Sequence, residues 1–165
     1  MKCINWLSSV LENREHRVKK QQELRDKYNS CVLSLTINIP GRYKRTKEAE
    51  YIYNIALKEL EKFDFNVYEK VLTDKETGYE ALFAMEVKPH ILKKLTCRVE
   101  EEHPLGRFMD IDVIQKDGSI VSRTNPRKCY ICDDNAKICA RTQKHKIQEL
   151  LDFISKQVND YRTSL

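Results

Sequence analysis

The period of the hydrophobic positions changes several times along the chain, and each period predicts an element of secondary structure. Three segments have apolar residues at helical spacing: residues 6–28, residues 46–63 with Thr46 as the N-cap, and residues 146–161. Shorter segments alternate or run continuously in β-branched and other apolar residues, which predicts strands at residues 31–39, 66–72, 79–87, 95–102, 109–115 and 119–122. We therefore predict an α+β fold with a mixed, mainly antiparallel sheet flanked by helices.

The remaining segments differ in character. The strand at residues 79–87 is almost continuously apolar, as expected for a central, buried strand. Residues 89–95 are predicted to form a short helix or a connector, and residues 116–118 (Lys-Asp-Gly) a turn. Residues 124–145 are rich in cysteine and are predicted to be irregular.

Composition limits the class of protein. The chain has 165 residues, of which 41% are hydrophobic and 33% charged, and this balance predicts one soluble globular domain that spans residues 1–165. No apolar run approaches the ~20 residues of a membrane span, and Met1–Leu11 lacks the pattern of a secretory signal. We therefore expect a cytoplasmic protein without a membrane partner. The formal net charge of +5 is mild, and it fits a phosphorylated small molecule or an acidic protein as well as nucleic acid.

The most informative motif is a pair of aspartates on a predicted strand. Residues two apart on a strand point to the same face, so Asp110 and Asp112 project together. Two adjacent like charges are unfavourable unless a cation neutralises them, and oxygen ligands of this kind suit Mg²⁺ or Mn²⁺, which in turn hold a polyphosphate. Glu100 or Glu102, on the preceding predicted strand, would supply a third carboxylate for a two-metal arrangement. The pair predicts a metal-dependent, nucleotidyltransferase-like enzyme.

An Asp-x-Asp pair also has a simpler interpretation, since charged residues often line a solvated strand face. Here both aspartates are bracketed by apolar residues and follow the segment Pro-Leu-Gly-Arg. Gly106 and Arg107 lie where the backbone must turn tightly and where a guanidinium can clamp phosphate oxygens. These flanking residues favour a catalytic role for the aspartate pair over a solvated strand face, and they make Arg107 a candidate catalytic residue.

Basic residues form a second candidate set. Arg14, Arg17 and Gln21 are three and four residues apart, which places them on one face of the first predicted helix. Lys44 follows a strand and a Pro-Gly turn and precedes a helix, a position where backbone N–H groups and the helix dipole favour an anion. Arg123 lies beside the aspartate pair in the sequence. Taken singly, each of these residues is more typical of a solvated surface charge.

A third set carries soft metal ligands: Cys129, Cys132, Cys139 and His145. A single Cys-x-x-Cys pair is common, and the spacing is not that of a standard zinc finger, so two interpretations stand. Either the set binds a structural Zn²⁺, or the cysteines are small buried hydrophobic residues and His145 is a helix-start residue or a phosphate contact. Because no export signal is predicted, the cysteines are expected to be reduced thiols or metal ligands. The others lie in apolar stretches and are predicted to be core thiols: Cys3, Cys31 and Cys97.

The central and carboxyl-terminal motifs resemble those of a known family. They run from Glu100 through His103-Pro104-Leu105-Gly106-Arg107 to Asp110-Ile111-Asp112-Val113, and continue with Ser122-Arg123, Arg127-x-Cys129-x-x-Cys132, Ala136, Cys139-Ala140-Arg141 and His145. Weaker similarities lie upstream, in Arg14-Glu15-x-Arg17 with Gln21 and in Pro40-Gly41-x-x-Lys44. This pattern covers most of the chain and resembles the citrate lyase holo-[acyl-carrier-protein] synthases, also called apo-citrate lyase phosphoribosyl-dephospho-CoA transferases.

The resemblance implies a definite reaction. The family transfers the 2′-(5″-phosphoribosyl)-3′-dephospho-CoA group from its triphosphate donor to a serine of the citrate lyase acyl-carrier (gamma) subunit, and pyrophosphate leaves. Asp110 and Asp112 would carry the metal, and Glu100 would join them or act as a base. The resemblance also implies a wider set that binds the donor: Arg14, Arg17, Gln21, Gly41, Lys44, His103, Gly106, Arg107 and Arg123.

Two other functions stay open at this point. One is a related metal-dependent nucleotidyltransferase with another carrier or nucleotide, because a fold and an aspartate pair do not determine the substrate. The other is a zinc-stabilised nucleic-acid-binding module that uses residues 129–145 and the basic first helix. The chain lacks the interleaved exposed aromatic and basic residues of a base-stacking surface, so we expect no nucleic-acid partner.

Overall fold

A computed structural model describes residues 6–165, so the predicted thiol Cys3 and the first residues of Met1–Leu11 lie outside the described residues. In chain order the elements are α1 (Trp6–Tyr28), β1 (Cys31–Ile37), α2 (Lys47–Glu61), β2 (Asn66–Lys75), β3 (Gly78–Glu86), α3 (Pro89–Glu102), a short 3-10 helix (Gly106–Phe108), β4 (Met109–Ile114), α4 (Ala136–Thr142) and α5 (Ile147–Thr163). Within residues 6–165, no helix combines the length and the apolar character needed to span a membrane. Of the other predicted core thiols, Cys31 is buried and Cys97 is half-buried.

The strands form one four-stranded sheet in the order β2-β3-β1-β4. All three pairings in the described part of the chain are antiparallel, where the sequence predicted a mixed, mainly antiparallel sheet. β3 is an inner strand and is buried over nearly its whole length, as its continuous apolar sequence predicted. β1 pairs with both β3 and β4, which places Thr36 between Glu80 and Asp110. The predicted α+β class is confirmed.

The two faces of the sheet are covered by different helices. One face packs against α2 and α5 to form the main core, in which Leu35 and Ile111 are fully buried. The other face is crossed by α1, where Leu24 belongs to a smaller apolar cluster. Opposite residues of paired strands share a face, and the partners of Asp110 and Asp112 on β1 lie on the α1 face. The aspartate pair is therefore on the polar side of the sheet, away from the main core.

One predicted strand is helical in the structure. Residues 95–102, expected as a strand after a short helix or connector, belong to the single helix α3. Their β-branched residues favoured a strand, but the buried positions Lys93, Thr96 and Glu100 are three and four residues apart, a spacing that places side chains on one face of a helix. Pro89 at the start of α3 is favourable there, because the first helical N–H needs no intrahelical partner.

The segment after β4 also differs from its prediction. The expected turn forms and is closed by Asp117, whose carboxylate accepts the N–H of Ser119 at 2.9 Å. Residues 119–122, predicted as a strand, contribute an isolated bridge to β4 instead. Residues 124–145 are largely irregular, as predicted, but they contain the short helix α4.

Candidate active site

The aspartate pair lies on β4, on the face that α1 crosses. Asp110 is opposite Thr36 and Asp112 is opposite Ser34 in the register with β1, so both carboxylates project from the same face. The Asp110 side chain is 51% exposed, and Asp112 is half-buried. Burial, and then the neighbouring charge of Asp110, raise the pKa of Asp112. Ionisation of the whole pair is therefore favoured by a nearby cation.

Two side chains of α3 complete the hydrogen bonding of β4, which is an edge strand. The N–H of Ile111 donates to the Glu100 carboxylate at 2.8 Å, and the Ile111 carbonyl accepts from Lys93 Nζ at 2.9 Å. Both α3 side chains are buried. Ile111 lies between the two aspartates, and its backbone N–H and carbonyl face away from β1. Because Glu100 and Lys93 satisfy these two groups, α3 holds in place the part of β4 that carries the aspartate pair.

Glu100 is also the centre of a charged network. Its carboxylate is 3.0 Å from Arg123 Nη2 and 3.3 Å from Arg127 Nη2, and Arg127 Nη1 lies 3.6 Å from Asp110. Burial raises the pKa of Glu100, while the Arg127 charge, the Ile111 N–H and the Arg123 charge act in the opposite direction. With three donors around it, the Glu100 carboxylate is engaged by the protein and keeps Arg127 beside Asp110.

α1 brings polar and basic side chains to the same face through Glu80 on β3. The Glu80 carboxylate accepts from Asn13 Nδ2 at 2.8 Å and forms a close ion pair with Arg17. One turn further along α1, Gln21 Nε2 donates to the Ser34 hydroxyl at 3.2 Å. The predicted site residues Arg17 and Gln21 therefore share a helix face, as their spacing indicated, and that face contacts the sheet.

A cavity of about 230 Å³ opens beside α1, the end of β1 and the start of β3. Its lining brings the predicted Arg14, Arg17 and Lys44 together with Asp110. Lys44 donates a close hydrogen bond to the Ile39 carbonyl, and burial, followed by the charge of Arg14, lowers the Lys44 pKa. Cationic side chains and one carboxylate of the pair thus converge on one space, an arrangement suited to a polyphosphate and its counter-cation.

A second cavity, of about 570 Å³, adjoins the first around Lys44. In the part of the chain that the structure describes, its lining contains no carboxylate and five cationic side chains: Lys44, Arg107, Arg127, Lys128 and Lys146. Arg107 donates a close hydrogen bond to the Lys128 carbonyl, and burial lowers the Arg107 pKa. Tyr130 and Ile147 contribute apolar surface to the same wall. This cavity can therefore accept an anionic ligand that also has an apolar part.

Two of the predicted donor residues instead support the packing around the 3-10 helix, outside the linings of both cavities. Gly106 has no room for a side chain, because a Cβ there would lie 2.2 Å from the Val99 carbonyl oxygen. His103 Nδ1 accepts the Leu105 N–H at 3.0 Å, and its Nε2 lies 3.3 Å from the Tyr161 hydroxyl. Their contribution to donor binding stays a prediction.

Gly41 and Arg123 also lie outside these linings. Gly41 has a φ of +79°, which favours glycine, and a Cβ there would be 3.2 Å from Ile147 Cγ2. Arg123 is paired with Glu100 and with Glu101, the latter at 3.1 Å. Gly41 therefore allows the loop before Lys44 to pack closely against α5, and Arg123 belongs to the ion-pair network around Glu100.

The soft ligands predicted between β4 and α5 come together in space. The ligand atoms of Cys129, Cys132, Cys139 and His145 all lie within 4.8 Å of one another. Cys132 Sγ is 3.5 Å from Cys139 Sγ and 3.3 Å from His145 Nε2. A hydrogen bond between the Asp134 backbone and the Cys132 thiolate, followed by the contact with His145, lowers the pKa of Cys132 to about 6. This is the geometry of a group that can hold one metal ion.

Three residues that position the site were not predicted as site residues: Glu80, Lys93 and Arg127. The signal for Glu80 was a charge in a largely apolar predicted strand, where the other charge, Glu86, lies at the exposed end. Lys93 becomes recognisable once α3 is treated as one helix, because it then lies two turns from Glu100 on the same face. Arg127 is part of the motif that resembles the family, but nothing in its spacing indicates proximity to Asp110.

Comparison with known proteins identifies the family. The sequence model of the apo-citrate lyase phosphoribosyl-dephospho-CoA transferase family matches residues 5–161 of the chain. The chain belongs to this family. A probable apo-citrate lyase phosphoribosyl-dephospho-CoA transferase of Vibrio cholerae is 32% identical over 164 residues, which cover 94% of this chain and 92% of the relative. A relative of the same description from Streptococcus pyogenes is 32% identical over 94% of this chain and 86% of its own length. The protein CitXG of Haemophilus influenzae is 34% identical over 94% of this chain, which spans 35% of that longer protein.

Proposed function

We propose that this family member transfers the phosphoribosyl-dephospho-CoA group from a triphosphate donor to a serine of the citrate lyase acyl-carrier subunit. The family match over residues 5–161 supports this reaction. The structural observation that carries the proposal is the convergence of Asp110 with Arg14, Arg17 and Lys44 on one cavity. In the reaction the serine oxygen bonds to the α-phosphorus, and the bond from that phosphorus to the oxygen bridging to the β-phosphate breaks. The hydroxyl proton passes to solvent, and the β- and γ-phosphates leave as pyrophosphate.

Asp110 and Asp112 fit a divalent cation. They offer the oxygen-only ligands that Mg²⁺ and Mn²⁺ prefer. Asp110 lines the smaller cavity, and ionisation of Asp112 is disfavoured by burial unless positive charge is close. When bound, such a cation would neutralise negative charge on the triphosphate. In this proposal both aspartates hold the cation at the α1 face of the sheet.

The basic side chains around the smaller cavity orient the triphosphate. Arg14 and Lys44 would contact its oxygens. Arg17 is neutralised by Glu80, which lines the same cavity, and it would offer its remaining N–H donors. Glu100 has a different role from the third metal ligand or base that the sequence suggested. Because its carboxylate is engaged by the Ile111 N–H and two arginines, we assign it as a positioning residue that keeps Arg127 beside the aspartate pair.

The larger cavity suits the dephospho-CoA part of the donor. Its five cations, including Arg107 and Arg127, match a diphosphate, and its apolar wall matches an adenine ring or the pantetheine chain. Since the two cavities meet at Lys44, one donor can extend from the aspartate pair into the larger cavity. This division predicts that substitutions in the two cavities affect different parts of the same ligand.

The protein substrate in this proposal is an acidic carrier subunit that binds transiently to the basic rim of the site. Residues 1–165 would act as one transferase domain in the cytoplasm. No disulfide joins the five cysteines of residues 6–165, which fits a reducing compartment.

The test is intact-protein mass spectrometry of the apo citrate lyase carrier subunit after incubation with the enzyme, Mg²⁺ and the triphosphate donor. We expect a mass increase equal to the phosphoribosyl-dephospho-CoA group with wild-type enzyme and none with Asp110→Asn. Asp117→Asn is the matched control, because Asp117 is an exposed aspartate on the turn after β4 and lines neither cavity. No increase with folded wild-type enzyme would reject this acceptor and favour a related transferase with another carrier or nucleotide.

A further inference from the structure

We propose that one zinc ion binds to Cys129, Cys132, Cys139 and His145 and holds the wall of the larger cavity in place. All four ligand atoms lie within 4.8 Å of one another, with 3.5 Å between the Sγ atoms of Cys132 and Cys139. In a tetrahedral site with Zn–S bonds of about 2.3 Å, two sulfur atoms are about 3.8 Å apart. The side chains thus approach the arrangement that zinc requires, and three thiolates with one imidazole are a ligand set typical of structural zinc.

The segment that carries the ligands has no apolar core of its own. Between residues 115 and 146 the buried side chains are those of Cys129 and Cys139, whereas Ile120 and Ile138 are each 58% exposed. α4 has seven residues, which is too short for a helix to be stable without tertiary contacts. Val121 and Tyr130 anchor the segment to the main core, and a metal ion would supply the further stabilisation that the region of the ligands lacks.

His145 is oriented as a metal ligand. Its Nε2 faces Cys132 Sγ at 3.3 Å, and its Nδ1 lies 3.6 Å from the Glu149 carboxylate on the first turn of α5. Zinc-bound histidines commonly direct their second ring nitrogen toward a carboxylate, which selects the tautomer and the ring orientation. The Cys129 N–H donates to the Asp134 carbonyl at 2.7 Å and closes the turn that brings the first two ligands together.

The ion is linked to the transferase site, and this part of the inference rests on the proposed function. Three of the four ligands line the larger cavity. Arg127 is two residues before Cys129, its carbonyl accepts the Ala136 N–H at 2.9 Å, and its guanidinium reaches Asp110 at 3.6 Å. Loss of the ion would release this segment, so the cavity wall and Arg127 would no longer be held in place.

The first test is the metal content of the full chain, purified without chelator and measured by inductively coupled plasma mass spectrometry. We expect one zinc per chain in wild type, a large loss in Cys132→Ser, and no change in Cys97→Ser, the matched control on α3. Because unfolding of the segment in Cys132→Ser would also release the metal, the wild-type protein is also reconstituted with Co²⁺. Strong visible absorption and thiolate-to-cobalt charge transfer, as in tetrahedral thiolate sites, would support the proposal. Wild-type protein without bound metal, or with a disulfide between Cys132 and Cys139 in peptide mapping, would overturn it.

The link to the donor site is tested separately by removing zinc and measuring donor binding by isothermal titration calorimetry. We expect at least about a tenfold weaker affinity in the zinc-free protein and recovery when zinc is returned. Unchanged donor affinity would reject the link between the zinc ion and the donor site. It would not reject the zinc site itself, which is tested by the metal content. Zinc-loaded protein that fails to modify the carrier would reject the proposed function instead.

Discussion

Glu100→Gln tests whether the buried carboxylate on α3 organises the strand that carries the aspartates. The substitution removes one negative charge and keeps an oxygen that can accept the Ile111 N–H. It therefore isolates the ion pairs with Arg123 and Arg127, whose nitrogen atoms lie 3.0 Å and 3.3 Å from the carboxylate. Only 3% of the Glu100 side chain is exposed, so no solvent replaces the lost charge.

The expected loss of stability follows from this burial. Removing one partner of a buried ion pair costs about 3–5 kcal/mol. Burial raises the pKa of Glu100, so loss of the charge by itself also removes a desolvation cost. The Gln amide that keeps its oxygen on the Ile111 N–H turns its NH2 group, a donor, toward the Arg123 donor, where the carboxylate oxygen accepted at 3.0 Å. Because the Arg123 and Arg127 side chains keep 20% and 21% of their surface exposed, water compensates in part, and we expect a loss of about 2–3 kcal/mol. For a chain of this size 1 kcal/mol shifts Tm by about 2–4 °C, so Glu100→Gln should lower Tm by roughly 4–12 °C.

The assay is thermal unfolding at neutral pH followed by circular dichroism, with Glu101→Gln as the control. Glu101 is the neighbouring glutamate, it also pairs with Arg123, at 3.1 Å, and its side chain is 59% exposed. An exposed ion pair contributes at most about 1 kcal/mol to stability, so the Tm of Glu101→Gln should differ little from that of wild type. Equal shifts for Glu100→Gln and Glu101→Gln would refute the idea that burial makes the Glu100 network important.

Three further predictions concern the packing, the charge and the cavity of the site. Gly106→Ala should cost about 1–3 kcal/mol in urea unfolding, since its Cβ would meet the Val99 carbonyl oxygen at 2.2 Å; an unchanged midpoint would contradict this packing. Burial and a like charge raise the pKa of Asp112, so ionising it costs stability as pH rises above the unfolded value. Asp112→Asn should therefore raise the Tm of metal-free protein at neutral pH, with no difference in strong acid; a lower neutral Tm would be inconsistent. Arg14→Ala should raise KM for the donor roughly 10- to 100-fold, whereas the exposed Lys19→Ala on the same helix should not; equal KM values would remove Arg14 from the site.

The sequence by itself determined the elements whose side-chain pattern is regular. α1, α2 and α5 begin and end within about two residues of their predicted bounds, because a helical period specifies which residues share a face without reference to the rest of the chain. In the same way, the two-residue period of a strand placed Asp110 and Asp112 on one face of β4. The ordered motifs from Glu100 to His145 were also sufficient to indicate the family, which the match over residues 5–161 confirmed.

Only the tertiary structure decided what surrounds those residues. The segment at residues 95–102 has β-branched residues typical of a strand, but it packs against β4 as part of a helix, and Glu100 thereby meets two arginines. Arg17 and Glu80 pair across 63 positions of the chain, because α1 packs across the sheet face on which Glu80 of β3 lies. Local periodicity carries no information about strand order, so it cannot indicate which distant charges will be brought together around a site.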